Sequence, residues 1–426
     1  MNLTPISVTL TPLRTGFGRI AFKGLASGTS WTLAASVSSA LSQWLLLMVT
    51  AKLGSSEMVG QLALSFAIVA PIQILTDMAL RPSLATDARS DFQFRDYLEL
   101  RALSIVVMVA AVALAALFRE GGAGLILLAV GLQKAAESAS DLWFGVFQRE
   151  ERLSWMGQSV VLRSAAASVA FVGVMLLSQN LLFACLAGFA ARIAVLLFHD
   201  SARGLDLVDL ARVGPRRVGR LMKTSLPLAV GLFLMSFTVN IPRYFVEKRM
   251  GIATLGVFAA LVYVFQAGAM LVDAVSQTAC ARLARYHLMG DGASFRRIVL
   301  KLIYMALAVS GLGVAVALAW GSTLLRLIYS AAFANEAKTF LWLSVCALPW
   351  YCSSVFGYVL VARRQMMALF YCQVASLAAT LTGSYWFIGG GQLSDACRIV
   401  FLTYAVLLTL YVFCLWRVPA AGESLK

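Results

Sequence analysis

Apolar runs of about twenty residues recur along the whole chain, parted by short polar breaks. No other feature restricts the fold as strongly. About twenty apolar residues are what a helix needs to cross ~30 Å of hydrocarbon. Backbone polar groups cannot stay unpaired in lipid, so each run is expected to be helical. Amphipathic stripes, the mark of soluble helices, are missing from these stretches. The chain is therefore read as an all-α polytopic membrane protein. Twelve spans are predicted: Trp31–Ala51, Gln61–Leu80, Leu98–Phe118, Gly122–Leu142, Trp155–Leu177, Leu181–Phe198, Ser225–Val246, Leu255–Val275, Val299–Trp320, Thr339–Val361, Met366–Ile388 and Ile399–Leu415.

The net charge of +15 would suggest nucleic acid in a soluble protein. Here the bases sit mostly in the breaks between spans, where they set topology. With the N-terminus in the cytoplasm, cytoplasmic segments hold 24 Lys and Arg and external loops 7, a bias kept loop by loop. Both termini are thus expected in the cytoplasm, with no role for nucleic acid. Seven cysteines are scattered singly, mostly inside apolar runs, and form no CxxC pair. They read as small apolar side chains, so neither a metal nor a cofactor is expected. The polar N-terminus with Arg14, Arg19 and Lys23 reads as a tail, because the apolar run that follows is too long for a signal-peptide core.

The longest break falls at the chain midpoint and carries Arg203, Arg212, Arg216, Arg217, Arg220 and Lys223. It divides the chain into an N-terminal cytoplasmic tail (1–30), a first half of six helices (31–198), a linker (199–224), a second half (225–416) and a C-terminal tail (417–426). The halves repeat each other. Gly60–Asp77 and Gly256–Asp273 both begin with Gly and end with Asp seventeen residues later, at a constant offset of 196. Arg89 matches Arg285 at that same offset. The KLG of Lys52–Gly54 matches the RMG of Arg249–Gly251 with one residue of slippage. Each half has an even number of spans, so the copies run in the same direction. Parallel repeats of this kind place a substrate between the halves.

Charges inside a membrane are costly and are read first as functional. Lys134, Glu137 and Asp141 lie at i, i+3 and i+7 on one face of the fourth span. Lys134 can attract an anion, and Glu137 and Asp141, if they repel each other, can share a proton in a coupling step. A plain Lys134–Glu137 ion pair is the alternative. Arg163 and Arg192 stand about two turns in from the cytoplasmic surface, either lining a cationic cavity or snorkelling outward. Arg243 follows Pro242, with Asn240 one turn back, which suits a gate, an outward-side binding point or an interfacial anchor. Asp77 and Arg81 lie at i, i+4 where Pro82 is expected to stop the second span, and Asp273 holds the repeat position of Asp77. These acids suggest an inner gate, or a helix-end salt bridge for Asp77 and Arg81. The deep charges are four bases (Lys134, Arg163, Arg192, Arg243) against two acids.

The two repeated segments also resemble a known family. An apolar helix, then [KR]-[LM]-G, a loop, a Gly and an apolar helix ending in Asp is similar to the polysaccharide-exporter branch of the multidrug/oligosaccharidyl-lipid/polysaccharide flippase superfamily. Val146–Ser164 resembles that branch's turn between helices four and five, and Ala281–Leu302 its basic loop before helix nine. The resemblance implies two six-helix bundles around a central cavity and alternating access in the bacterial inner membrane. Its implied cargo is an undecaprenyl-diphosphate-linked oligosaccharide for surface polysaccharide. Membrane lipid and other polysaccharide-assembly proteins are the remaining partners, and a monomer is the default for fused halves. An ion-coupled multidrug antiporter is the rival within transport, but a cationic interior fits a diphosphate better than a cationic drug. An enzyme, such as a membrane polymerase or glycosyltransferase, is the rival of another class. The external loops are short, His199 and His287 are the only histidines, and neither GxxxxGK[ST] nor GxSxG occurs.

Overall fold

The computed structural model describes residues 17–87, 91–208, 217–388 and 392–417. Arg89, Arg212, Arg216 and the outer parts of both tails lie outside these residues. So do the side chains of Arg19 and Lys23. Among the described residues there is no strand, and each predicted span is a helix. These are α1 (Phe17–Leu53), α2 (Ser56–Asp77), α3 (Phe94–Leu117), α4 (Ala123–Arg149), α5 (Leu153–Ser178), α6 (Leu181–Val195), α7 (Val218–Met250), α8 (Ile252–Leu288), α9 (Gly292–Ile328), α10 (Ala337–Ala362), α11 (Met366–Phe387) and α12 (Leu393–Arg417). Among the described residues, eleven helical stretches are long and apolar enough to cross a membrane. The exception is α4, where Gln133, Lys134, Glu137 and Asp141 interrupt the apolar sequence. Apolar side chains such as Leu177, Phe198, Leu117 and Phe118 point outward and are almost fully exposed. In water that would be costly; against lipid it is the expected surface. The chain is a multi-pass membrane protein.

Two helix ends differ from expectation. Pro82 does not stop α2. The helix ends at Asp77, and Met78 and Ala79 both take left-handed φ of 49°. A short helix, Leu80–Thr86, then begins, with Pro82 in its first turn. Proline is tolerated there because the N–H it lacks has no helical partner. At the end of α6 the chain continues past Phe198 through a wide π-helical turn, Leu196–Ser201, and a further helical turn at Ala202–Gly204. This extension packs on α4: a Cβ added to Gly204 would stand 2.1 Å from Trp143 Cε3.

Within each half the same helices pair: first with fifth, fifth with sixth, third with fourth, fourth with sixth, and second with both third and fourth. Sequence repeat and packing repeat therefore agree. The halves meet chiefly where α2 runs along α7 and α8. That contact is reciprocal. A Cβ on Gly60 would lie 1.9 Å from the Ile252 carbonyl oxygen, and one on Gly256 would lie 2.0 Å from the Ser56 carbonyl oxygen. Positions 60 and 256, and positions 56 and 252, differ by the same 196 residues. Each half thus offers the other an equivalent surface, as in a two-fold contact. The glycines that open the repeat are there because backbone approaches backbone. The Arg119–Glu247 ion pair (2.7 Å) also joins the halves. Both contacts lie toward the face of the turns at Gly54 and Gly251, opposite the basic face of the turns at Glu150–Arg152, Met289–Asp291 and Arg363–Gln365.

Substituting either glycine should force the helices apart, because the obstructing atoms are backbone. Gly60→Val and Gly256→Val should each cost about 1–3 kcal/mol and lower the unfolding midpoint of the detergent-solubilised protein. Gly173→Val and Gly311→Val, where an added Cβ meets nothing within 4 Å, should change it little. Equal midpoints for all four would disprove the close contact.

Candidate functional site

The charges of α4 build two separate clusters. In the first, Glu137 accepts hydrogen bonds from Lys134 Nζ (2.7 Å) and from Arg192 Nε on α6 (3.1 Å). Arg192 is 8% exposed and also donates through Nη1 to the Gly188 carbonyl (3.1 Å). Gly188 permits this: a Cβ there would stand 3.3 Å from that nitrogen. The neighbouring turn is fixed by Gln133, whose Nε2 donates to the Cys185 carbonyl (2.7 Å). Arg163 of α5 reaches the same pocket and lies over the Phe144 ring, 5.4 Å from its centroid. Its Nη1 is buried and has no hydrogen-bond partner among the described residues. Such a group costs free energy unless a ligand or water satisfies it.

Ser42 and Gln43 of α1 and Phe66 of α2 close the other side of this pocket. Ser42 is tied to α5, with its Oγ 2.8 Å from Ser168 Oγ. The pocket holds three bases and one acid, a net excess of two positive charges in a poorly solvated place. Its cavity is about 30 Å³, room for roughly one water. A space of that size is too small for any larger anion.

The second cluster lies toward the basic face. Arg101 of α3 is 2% exposed and pairs with Asp77 and with Asp141 (3.7 Å). Arg81 pairs with Asp141 (3.2 Å) and donates to Gln148 Oε1 (3.0 Å). Two bases meet two acids, so this network is neutral and ties α2, α3, α4 and the short helix together. The expected Asp77–Arg81 pair is not formed. The left-handed residues Met78 and Ala79 carry Arg81 off the face of α2, and the partners exchange. Nor do Glu137 and Asp141 share one set of contacts, since each has its own basic partners. Arg101 was not among the expected site residues. The signal that could have found it is its position inside the span predicted to open at Leu98.

The remaining residues lie in the second half. Arg243 is 6% exposed, donates to Asn240 Oδ1 (2.8 Å) and sits 5.3 Å from the Tyr263 ring centroid. Tyr263 OH in turn accepts from Gln43 Nε2 (3.1 Å), a residue of the first pocket. Asp273 of α8 accepts from the Ser354 hydroxyl of α10. Its repeat partner Asp77 likewise meets a serine of the fourth helix of its half, Ser138. Nearby, Trp350 and Tyr404 stack with centroids 4.9 Å apart and planes 8° from parallel. Among the described residues no cluster of His, Cys, Asp and Glu is suited to a metal.

Comparison with known proteins places this geometry. The chain shares its fold with a lipid II flippase and with multidrug transporters of the MATE family. It superimposes on the lipid II flippase MurJ in an inward closed conformation with a TM-score of 0.75, at 8% identity over 91% of this chain and 88% of that one. It also superimposes on an inward-facing multidrug resistance MATE family transporter of that superfamily, with a TM-score of 0.67, at 12% identity over 94% and 96%. In sequence it is similar to the capsular polysaccharide biosynthesis protein CapF of Staphylococcus aureus. The two are 22% identical over 384 residues, 89% of this chain and 96% of CapF. No family model matches the chain.

Among the described residues, Glu137 is the one carboxylate paired with Lys134 and Arg192. Removing one partner of such a buried set costs about 3–5 kcal/mol. Glu137→Ala should therefore lower the unfolding midpoint clearly, whereas Glu150→Ala, at the more exposed Arg149 pair, should cost about 0–1 kcal/mol. A Glu137→Ala protein as stable as the parent would show that the bridge does not hold α4 in place.

Proposed function

We propose that this protein moves an undecaprenyl-diphosphate-linked oligosaccharide from the cytoplasmic to the outer leaflet of a bacterial inner membrane, for surface polysaccharide. The observation that carries this reading is the cationic pocket of Lys134, Arg163 and Arg192, with one carboxylate among three bases and an unsatisfied buried nitrogen on Arg163. Guanidinium groups match phosphate oxygens with paired hydrogen bonds, and in a poorly solvated pocket that attraction is strong. The fold shared with a lipid II flippase and the similarity to a capsular polysaccharide protein support the same reading.

In this mechanism the halves 31–198 and 225–416 rock about the α2–α8 contact, with the basic face and both termini in the cytoplasm. The diphosphate enters from that side and meets Lys134, Arg163 and Arg192 as α1, α4, α5 and α6 part. Arg243, linked to the pocket through Tyr263 and Gln43, is its next cationic contact. Asp273, held by a serine hydroxyl, is the candidate proton or cation carrier of the coupling step. Asp77, Arg81 and Asp141, neutralised together with Arg101, serve as the inner gate. No step needs a bond to form or break in the cargo, so the protein acts as a transporter and not as an enzyme.

The test is deletion in the host followed by extraction of lipid-linked intermediates. Loss of surface polysaccharide with accumulation of the finished lipid-linked oligosaccharide is expected. Lys134→Ala and Arg163→Gln, at normal protein levels, should restore less than about a tenth of export, the order expected from losing one charged hydrogen bond to the cargo. An unchanged glycan and lipid pool, together with new sensitivity to cationic drugs, would instead favour an ion-coupled multidrug antiporter of the same fold.

The Arg119–Glu247 pair gives a separate check on rocking. Arg119→Glu and Glu247→Arg should each reduce export, and the double reversal should recover most of it. Failure of the double variant to recover would mean that the pair takes no part in closing that face.

A further inference from the structure

A second cavity lies far from the cationic pocket, among the helix ends of the second half at the basic face. It has a volume of about 330 Å³, roughly ten times the space of one water in the liquid. Four segments that are distant in sequence form it: the end of α8, the start of α9, the end of α10 and the last turn of α12. Gly290, with φ of +69°, turns the chain from α8 into α9 beside it.

The lining is divided by chemistry. Phe295, Phe356 and Val359 supply an apolar part of the lining, the floor. His287, Arg296 and Arg363 supply its basic part, the rim. Arg363 is fixed over the floor: its guanidinium lies 5.2 Å from the Phe295 ring centroid, and Nη1 donates to the Leu415 carbonyl (3.3 Å). The single acid of the lining, Asp291, is occupied as the cap of α9, accepting from the Ser294 N–H (2.9 Å). The rim therefore presents a net positive charge over an apolar base.

We propose that this cavity binds the headgroup of an anionic phospholipid, with the phosphate between Arg296 and Arg363 and the first acyl carbons on the floor. A free anion would use the rim and leave the floor wet. A zwitterionic lipid would use the floor but bring no net charge to the rim. An anionic phospholipid uses both, and basic niches between helix ends at a membrane surface suit such headgroups. The site is independent of the transported cargo, because it shares no residue with the pocket of Lys134, Arg163 and Arg192.

The full chain in detergent, titrated with dioleoyl-phosphatidylglycerol and followed by intact-complex mass spectrometry, tests the proposal. The protein should retain this lipid, prefer it to dioleoyl-phosphatidylcholine, and keep it in the presence of excess inorganic phosphate. The Arg296→Gln/Arg363→Gln double variant should bind it about thirtyfold more weakly, the loss expected for two surface cations. The Arg296→Lys/Arg363→Lys variant, which keeps the charge, should stay within about threefold of the parent. Arg282→Gln, an exposed base of α8 outside the cavity, should bind as the parent does. Equal retention of phosphatidylcholine by the parent, displacement by inorganic phosphate, or unchanged binding by the double Gln variant would each overturn the proposal. The first and second need no variant to fold.

Discussion

The bridge from Glu137 to Lys134 and Arg192 is the contact on which the first half depends. Helix α4 is too polar to enter a membrane alone, and an ion moved from water into a protein interior loses several kcal/mol of solvation. It crosses because its charges are answered from other helices. Arg192 of α6 answers Glu137, and Arg101 of α3 with Arg81 of the short helix answers Asp141. Helix α4 is thereby drawn to the middle of its half, where it touches α2, α3 and α6. The same electrostatics leave a surplus of positive charge at one depth, beside Arg163. Structural neutralisation and anion attraction are thus two aspects of one arrangement, distinguished by whether a cluster balances.

Much of the fold was legible in the sequence because lipid allows so few solutions. A run of about twenty apolar residues must be a helix, and all twelve predicted runs are. The repeat was legible as well, and its constant offset turned out to describe a physical contact between Gly60 and Gly256. The α4 charges stood out because they interrupt an apolar helix. Their partners did not. Which base meets which acid depends on the rotation of each helix about its axis, and spacing within one segment cannot supply that. Of the two readings of Asp77 and Arg81, the direct salt bridge is not formed, because two residues of left-handed backbone break the i, i+4 register. The cavity around Arg363 was hidden for a further reason: its walls come from four segments between residues 286 and 415.

The two halves share their helix pairing yet differ in chemistry. Around Asp77 the first half places arginines and a second aspartate. Around Asp273 the second half places Ser354, with the stacked rings of Trp350 and Tyr404 nearby. Duplication preserved the frame, which is set by backbone approach and apolar packing, while the side chains pointing inward diverged.

The Gly60–Gly256 crossing has a mechanical consequence. Side chains that interlock must change rotamer before two helices can shift, and each change adds a barrier. Bare backbone has no teeth of that kind. Where Ser56, Gly60, Ile252 and Gly256 meet, the approach is mainly backbone to backbone, with the Ile252 side chain beside Gly60, so a rocking of the halves as proposed would have few side chains to disengage there. In the proposed rocking motion, close packing there is the bearing, and the ion pair of Arg119 with Glu247 is the catch at one end of the travel.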